Sequence, residues 1–99
     1  MNMGKPKIRV DFNELVKKDL LLLSDLDKVQ DSEGNEIELA EGLAISVYEF
    51  NHYDNGEKEY ILAEGIAERN DPEKNGRWSM NAKWCCRING NGIQVETVH

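Results

Sequence analysis

Cys85 and Cys86 are adjacent, flanked within two residues by Lys83 and Arg87, and they are the only two cysteines of the chain. Four outcomes attach to such a pair: a disulfide, a metal site, a reactive thiol, or plain strand packing. A disulfide between neighbours meets a geometric obstacle. Adjacent Cα atoms lie about 3.8 Å apart, closer than the roughly 4.4–6.8 Å of bridged cysteines. In a pleated strand the two side chains also point to opposite faces. The same divergence keeps them from converging on one zinc ion, which takes about four ligands in a tetrahedral array. The two histidines are His52 and His99, and no C-x-x-C spacing is present. No metal and no cofactor is expected.

A reactive thiol is the sharper alternative. If 80–88 is extended, Ala82, Trp84, Cys86 and Ile88 share one face, and Lys83, Cys85 and Arg87 share the other. The apolar set marks the core, so Cys86 is expected inside as a small hydrophobe. Cys85 is then expected outside, between two cations that would lower its pKa. Against that, Glu64 and Glu68 share a face on a neighbouring segment. Pairing them with Lys83 and Arg87 would cancel the positive field and leave an ordinary thiol. Cys85 also lacks the nearby base that activates a catalytic cysteine.

Other catalytic patterns are missing. No serine stands in a G-x-S-x-G context, and no glycine loop with lysine could cradle a phosphate. The window 51–62 puts Gly56 at the sixth place of a calcium loop. Tyr53 and Leu62 then occupy places that need oxygen ligands. The chain is not expected to be an enzyme.

Charge is the next feature. The net value is -7, unevenly spread: residues 1–18 carry net +3, residues 19–73 net -13 and residues 74–99 net +3. An acidic middle repels phosphate, so nucleic acid is not an expected partner. The two acidic loops, 25–41 and 51–59, are expected to form a surface for a basic protein. Complementary charge speeds such encounters. Tyr53, Asp54, Glu57, Glu59 and Trp78 are the candidate partner-binding residues, with Tyr53 and Trp78 as aromatic anchors. Trp78 has a second reading, as the residue that closes one end of the core.

These side chains need elements to position them. Ile8, Val10 and Phe12 alternate with polar residues, which marks a strand. Asn13 could cap a short helical turn through Leu15, Val16 and Lys17. Leu20 to Leu23 read as a strand buried on both faces, with a helix as the open alternative. Val29 and Ile37 flank the turn 31–35 and predict a hairpin. A central strand over 43–50 is apolar on both sides. Further strands are expected at 60–69, 80–88 and 93–97, joined by polar loops with Asn-Gly turns. Gly65 inside one of them suggests a bulge or bend.

At 99 residues this predicts a mostly β fold in a single domain spanning 1–99. The expected form is a small antiparallel barrel, SH3-like or OB-like, of six or seven short strands with at most one short helical turn. The longest apolar run is four leucines, far short of the roughly 20 residues that cross a bilayer. The amino terminus carries no secretory-type apolar stretch, so a cytoplasmic home is expected. The functional expectation is a non-catalytic protein-binding module with an acidic surface, such as an inhibitor or immunity-type protein for a basic partner. Two alternatives stand beside it. One is a thiol-dependent redox or metal-binding protein centred on Cys85. The other is a structural subunit of a homo-oligomer joined through the two-sided apolar strand 43–50.

Overall fold

The computed structural model describes residues 5–98. The strands are β1 (Ile8–Arg9), β2 (Leu15–Lys17), β3 (Leu20–Ser24), β4 (Lys28–Gln30), β5 (Glu36–Glu38), β6 (Ala44–His52), β7 (Lys58–Arg69), β8 (Trp84–Ile88) and β9 (Gln94–Val98). One α-helical turn, α1 (Pro72–Asn75), follows β7. Single 3-10 turns cover Phe12–Glu14 and Arg77–Ser79. The mostly β expectation holds.

Seven strands form the main sheet in the order β1-β6-β7-β8-β3-β2, with β9 also on β7. No closed barrel is formed among the described residues. β4 and β5 make a separate two-stranded hairpin, in register from Lys28 opposite Glu38 to Gln30 opposite Glu36. β1 pairs with β6 in parallel, a departure from the all-antiparallel expectation.

β6 and β7 form the spine. They pair from Ala44 opposite Ile66 to His52 opposite Lys58. The far edge of β7 is shared. Its first half, Lys58 to Leu62, pairs with β9, and its second half, Gly65 to Arg69, pairs with β8. Gly65 sits where the partner changes. A Cβ there would fall inside the Arg87 carbonyl oxygen and 2.7 Å from its carbon. The glycine is needed for close backbone approach.

The sheet buries its inner face in one cluster that includes Ile8, Leu21, Ile45, Val47, Trp84, Cys86 and Ile88. Hairpin residues Val29, Ile37 and Leu39 pack onto the same cluster. A second, smaller cluster lies on the other side of β8 and β3. It holds Leu20, Leu22 and Cys85, with Val16 and Ala82 against it. The four leucines thus alternate between two apolar compartments, which settles that segment as a strand. A helix would have put them on one broad stripe.

Two local expectations are corrected. Asp11, and not Asn13, caps the first turn, its carboxylate accepting from the Asn13 backbone N–H at 2.9 Å. Leu15 to Lys17 are consequently extended in β2. Ala82 precedes β8 and packs in the second cluster, because the 3-10 turn at Arg77–Ser79 breaks the alternation before the strand begins.

Gly65→Ala is expected to destabilise the fold by at least about 1–3 kcal/mol, since the neighbour is rigid backbone. Gly90 has open space around its Cα, so Gly90→Ala should change stability by no more than about 0.5 kcal/mol. Urea unfolding of both variants beside the parent chain measures the contrast.

Candidate functional site

The pleat in β8 turns the two sulfurs away from each other, Cys86 into the main core and Cys85 into the second cluster. Both cysteines are free, and both are 0% exposed. The outward placement of Cys85 is therefore corrected: the residue faces away from the main core, but a further layer covers it. That layer is the segment 70–82. Asn70 pins it, its amide donating to the carbonyls of Ser79 and Ala82 at 2.9 Å each. The Asn75 amide donates to Asn70 Oδ1 at 2.8 Å, and the Cys85 thiol reaches the same oxygen at 3.5 Å.

The neighbouring cations do not activate the thiol. Arg87 pairs with Glu68 at 2.9 Å and Asp19 at 3.1 Å, and Lys83 pairs with Asp27 at 2.8 Å. Of the expected cross-strand pairs, Arg87 with Glu68 is present. Glu64 instead pairs with Lys5 and accepts from Ser46 Oγ, and those two bonds hold its carboxyl below the usual range. Burial, reinforced by the Glu68 charge, pushes the Cys85 thiol up to about 11. Burial pushes Cys86 up to about 12. Both are neutral thiols at physiological pH, the opposite of what nucleophilic or metal-ligating sulfur requires.

Asp27, which the sequence places in an acidic cluster with Asp25, Asp31 and Glu33, has an internal role. It ties Lys83 to the indole of Trp84, which donates from Nε1 at 2.9 Å. The Lys83 and Trp84 hydrogen bonds lower its pKa.

The candidate partner-binding residues occupy two separate places. Tyr53, Asp54 and Glu57 form the β6–β7 turn. The Tyr53 N–H donates to the Glu57 carbonyl at 2.8 Å, and the Gly56 N–H donates back to the Tyr53 carbonyl at 2.9 Å. Gly56 adopts φ 88° there. The Tyr53 hydroxyl donates to Glu59, and that bond to a carboxylate raises its pKa. Trp78 lies beyond the other end of β7. This strand has twelve residues and would span roughly 35 Å if straight. Tyr53 thus precedes one end of β7 and Trp78 follows the other, and Tyr53 does not line the groove that holds Trp78.

The acidic segment 25–41 shares a groove with Trp78 through its first residue, Asp25. It holds seven carboxylates and one lysine, net -6. Its hairpin turns Val29 and Ile37 inward and leaves Lys28, Gln30, Glu36 and Glu38 exposed. Asp31 is used internally, accepting from the N–H groups of Glu33 and Asn35. Glu41 accepts from the Arg69 N–H at 2.8 Å. Among the described residues, Asp25, Glu33, Glu36 and Glu38 make no ion pair. A groove of about 500 Å³ opens beside this segment, lined by Glu14, Leu22, Leu23, Asp25, Trp78 and Ala82 among others. Trp78 is 59% exposed. Its ring rests on Gly76, where a Cβ would fall 2.9 Å from indole Cδ1. It does not close the core.

A third surface is apolar. Tyr48, Phe50 and Tyr60 gather on one face of β6 and β7, with Phe50 and Tyr60 centroids 4.9 Å apart. His52 ends β6 and is exposed. His99 lies outside the described residues. No helix among the described residues is long and apolar enough to cross a membrane.

Comparison with protein-family models, with curated proteins and with solved structures finds no match to this chain.

Two measurements check the site chemistry. Iodoacetamide at pH 8 should label neither cysteine in the native state at more than a small fraction of the free-thiol rate, and should label both after unfolding. Both thiols have folded pKa values raised above the ordinary 9.0. Their contribution to stability is thus complete below pH 9 and is lost as pH rises through 11 and 12. Cys85→Ala and Cys86→Ala should flatten that alkaline loss in urea titrations. Separately, Asp27→Ala should lower the thermal midpoint by orphaning the Trp84 N–H. Asp27→Asn, which keeps an oxygen acceptor, should recover most of it.

Proposed function

We propose that this protein is a non-catalytic binding module whose working surface is acidic and whose partner is a basic protein. The single observation that carries this reading is the hairpin segment 25–41. Its strands β4 and β5 pair with each other alone, the segment carries net -6, and Glu36 and Glu38 turn to solvent without ion-pair partners among the described residues. A fold that wanted only solubility would be served by acids interspersed with lysines. Here one lysine, Lys28, stands among seven carboxylates, and Lys83, the cation that reaches in from β8, is engaged by Asp27.

Such a surface suits an inhibitor or immunity-type protein that masks a basic toxin or nuclease. Opposed potentials raise the encounter rate and set register, while affinity comes from a few desolvated anchors. Trp78 is the anchor this reading favours, because its exposed ring shares a groove with Asp25, the first residue of the acidic segment. Tyr53, Asp54, Glu57 and Glu59 form a second, smaller acidic place at the far end of the spine. The fold type that fits this role is a small SH3-like or OB-like barrel left open, with the meander β6–β7–β8 as its centre. The setting proposed is the cytoplasm, where free thiols persist.

The reading predicts strong salt dependence. Capture of a basic partner from lysate should fall several-fold between low ionic strength and about 0.15 M, where the Debye length is about 8 Å. The combined substitutions Glu33→Lys, Glu36→Lys and Glu38→Lys should abolish capture. Asp54→Lys, Glu57→Lys and Glu59→Lys together should weaken it less. Capture indifferent to both salt and hairpin reversal would sink the acidic surface.

A further inference from the structure

The groove beside Trp78 is built from three distant parts of the chain, two of which bring a carboxylate and the third an indole. Glu14 ends the first 3-10 turn, Asp25 follows β3, and Trp78 belongs to the segment that roofs Cys85. Apolar side chains, Leu22, Leu23 and Ala82, alternate in its lining with the polar Ser24, Ser79 and Asn81. No lysine or arginine lines it among the described residues, and neither carboxylate makes an ion pair there. The neighbouring Arg77 lines a different groove, with Pro72 and Met80. The indole is held from behind by the bare Cα of Gly76, whose φ of 98° suits glycine.

We propose that this groove receives an arginine side chain of the basic partner. A planar guanidinium can lie over the indole face and still direct its N–H groups at carboxylates. Lysine, a compact and strongly hydrated charge, has no flat face to stack on the ring. Charge complementarity selects a cation, and the exposed ring selects the guanidinium among cations. This inference rests on the acidic-surface reading and narrows it to one pocket and one residue type.

The probe is blocked hexa-arginine, titrated at low salt into the isotope-labelled full chain while the two indole N–H resonances are followed. Trp84, buried and bonded to Asp27, supplies an internal reference that should not move. The Trp78 resonance should shift and saturate. Trp78→Ala, and Glu14→Gln combined with Asp25→Asn, should each weaken binding about tenfold, the effect of losing roughly 1.4 kcal/mol. Trp78→Phe should restore part of the loss, which a merely unfolded variant could not do; thermal melts of each variant check folding directly. Hexa-lysine should bind more weakly than hexa-arginine. Equal affinity for the two peptides overturns the arginine assignment. Binding that leaves Trp78 unmoved and disappears on Glu33→Gln, Glu36→Gln and Glu38→Gln together overturns the groove while sparing the acidic surface. No binding to the parent chain at low salt overturns both.

Discussion

A strand whose side chains are apolar on both faces has to be covered twice. β8 is that strand. Trp84, Cys86 and Ile88 demand one core and Cys85 demands another. The demand spreads outward from there. β3 answers it with four leucines that alternate between the two compartments. The segment 70–82 answers it on the outer side, folding back over Cys85 through the hydrogen bonds of Asn70. Its half-buried side-chain amide has its donors and its acceptor all engaged. Without the second compartment there would be no reason for the chain to return across β8. Trp78, carried on that return, would have no fixed position.

Charge is organised by the same layout. Cations on the β8 side meet carboxylates from other segments, so Arg87 is held by Asp19 and Glu68 and Lys83 by Asp27. Exposed ion pairs contribute little to stability. At the amino-terminal side, Lys5 pairs with Glu64, and Lys7 lies buried with its backbone bonded to Ser32. The hairpin is thereby clamped to the outer sheet by main-chain bonds, and its own carboxylates are left to the solvent.

Much of the fold was legible in the residue pattern, and the failures have physical causes. The hairpin 28–38 announced itself by its turn residues and by Val29 and Ile37. The inward set Trp84, Cys86 and Ile88 followed from alternation alone. Burial of Cys85 did not, because its cover comes from the stretch NDPEKNGRW, which reads as a polar loop. A signal was present there: Asp71 before Pro72 is a cap followed by a proline at the first helical position. The parallel pairing of β1 with β6 was not legible, since alternation reports faces and not partners. Of the candidate residues, Tyr53, Asp54, Glu57 and Trp78 are exposed at turn positions, whereas Glu59 is half-buried at the start of β7 and Cys85 is buried.

The divided edge of β7 means that one continuous strand belongs to regions of unequal permanence. Its second half is locked between β6 and β8, over the core. Its first half is bordered by β9, where Val95 is 62% exposed and almost every residue faces water. Few apolar contacts oppose the peeling of β9, and local opening draws on such places first. The spine thus ends in a ribbon that can loosen while the double-walled part stays shut.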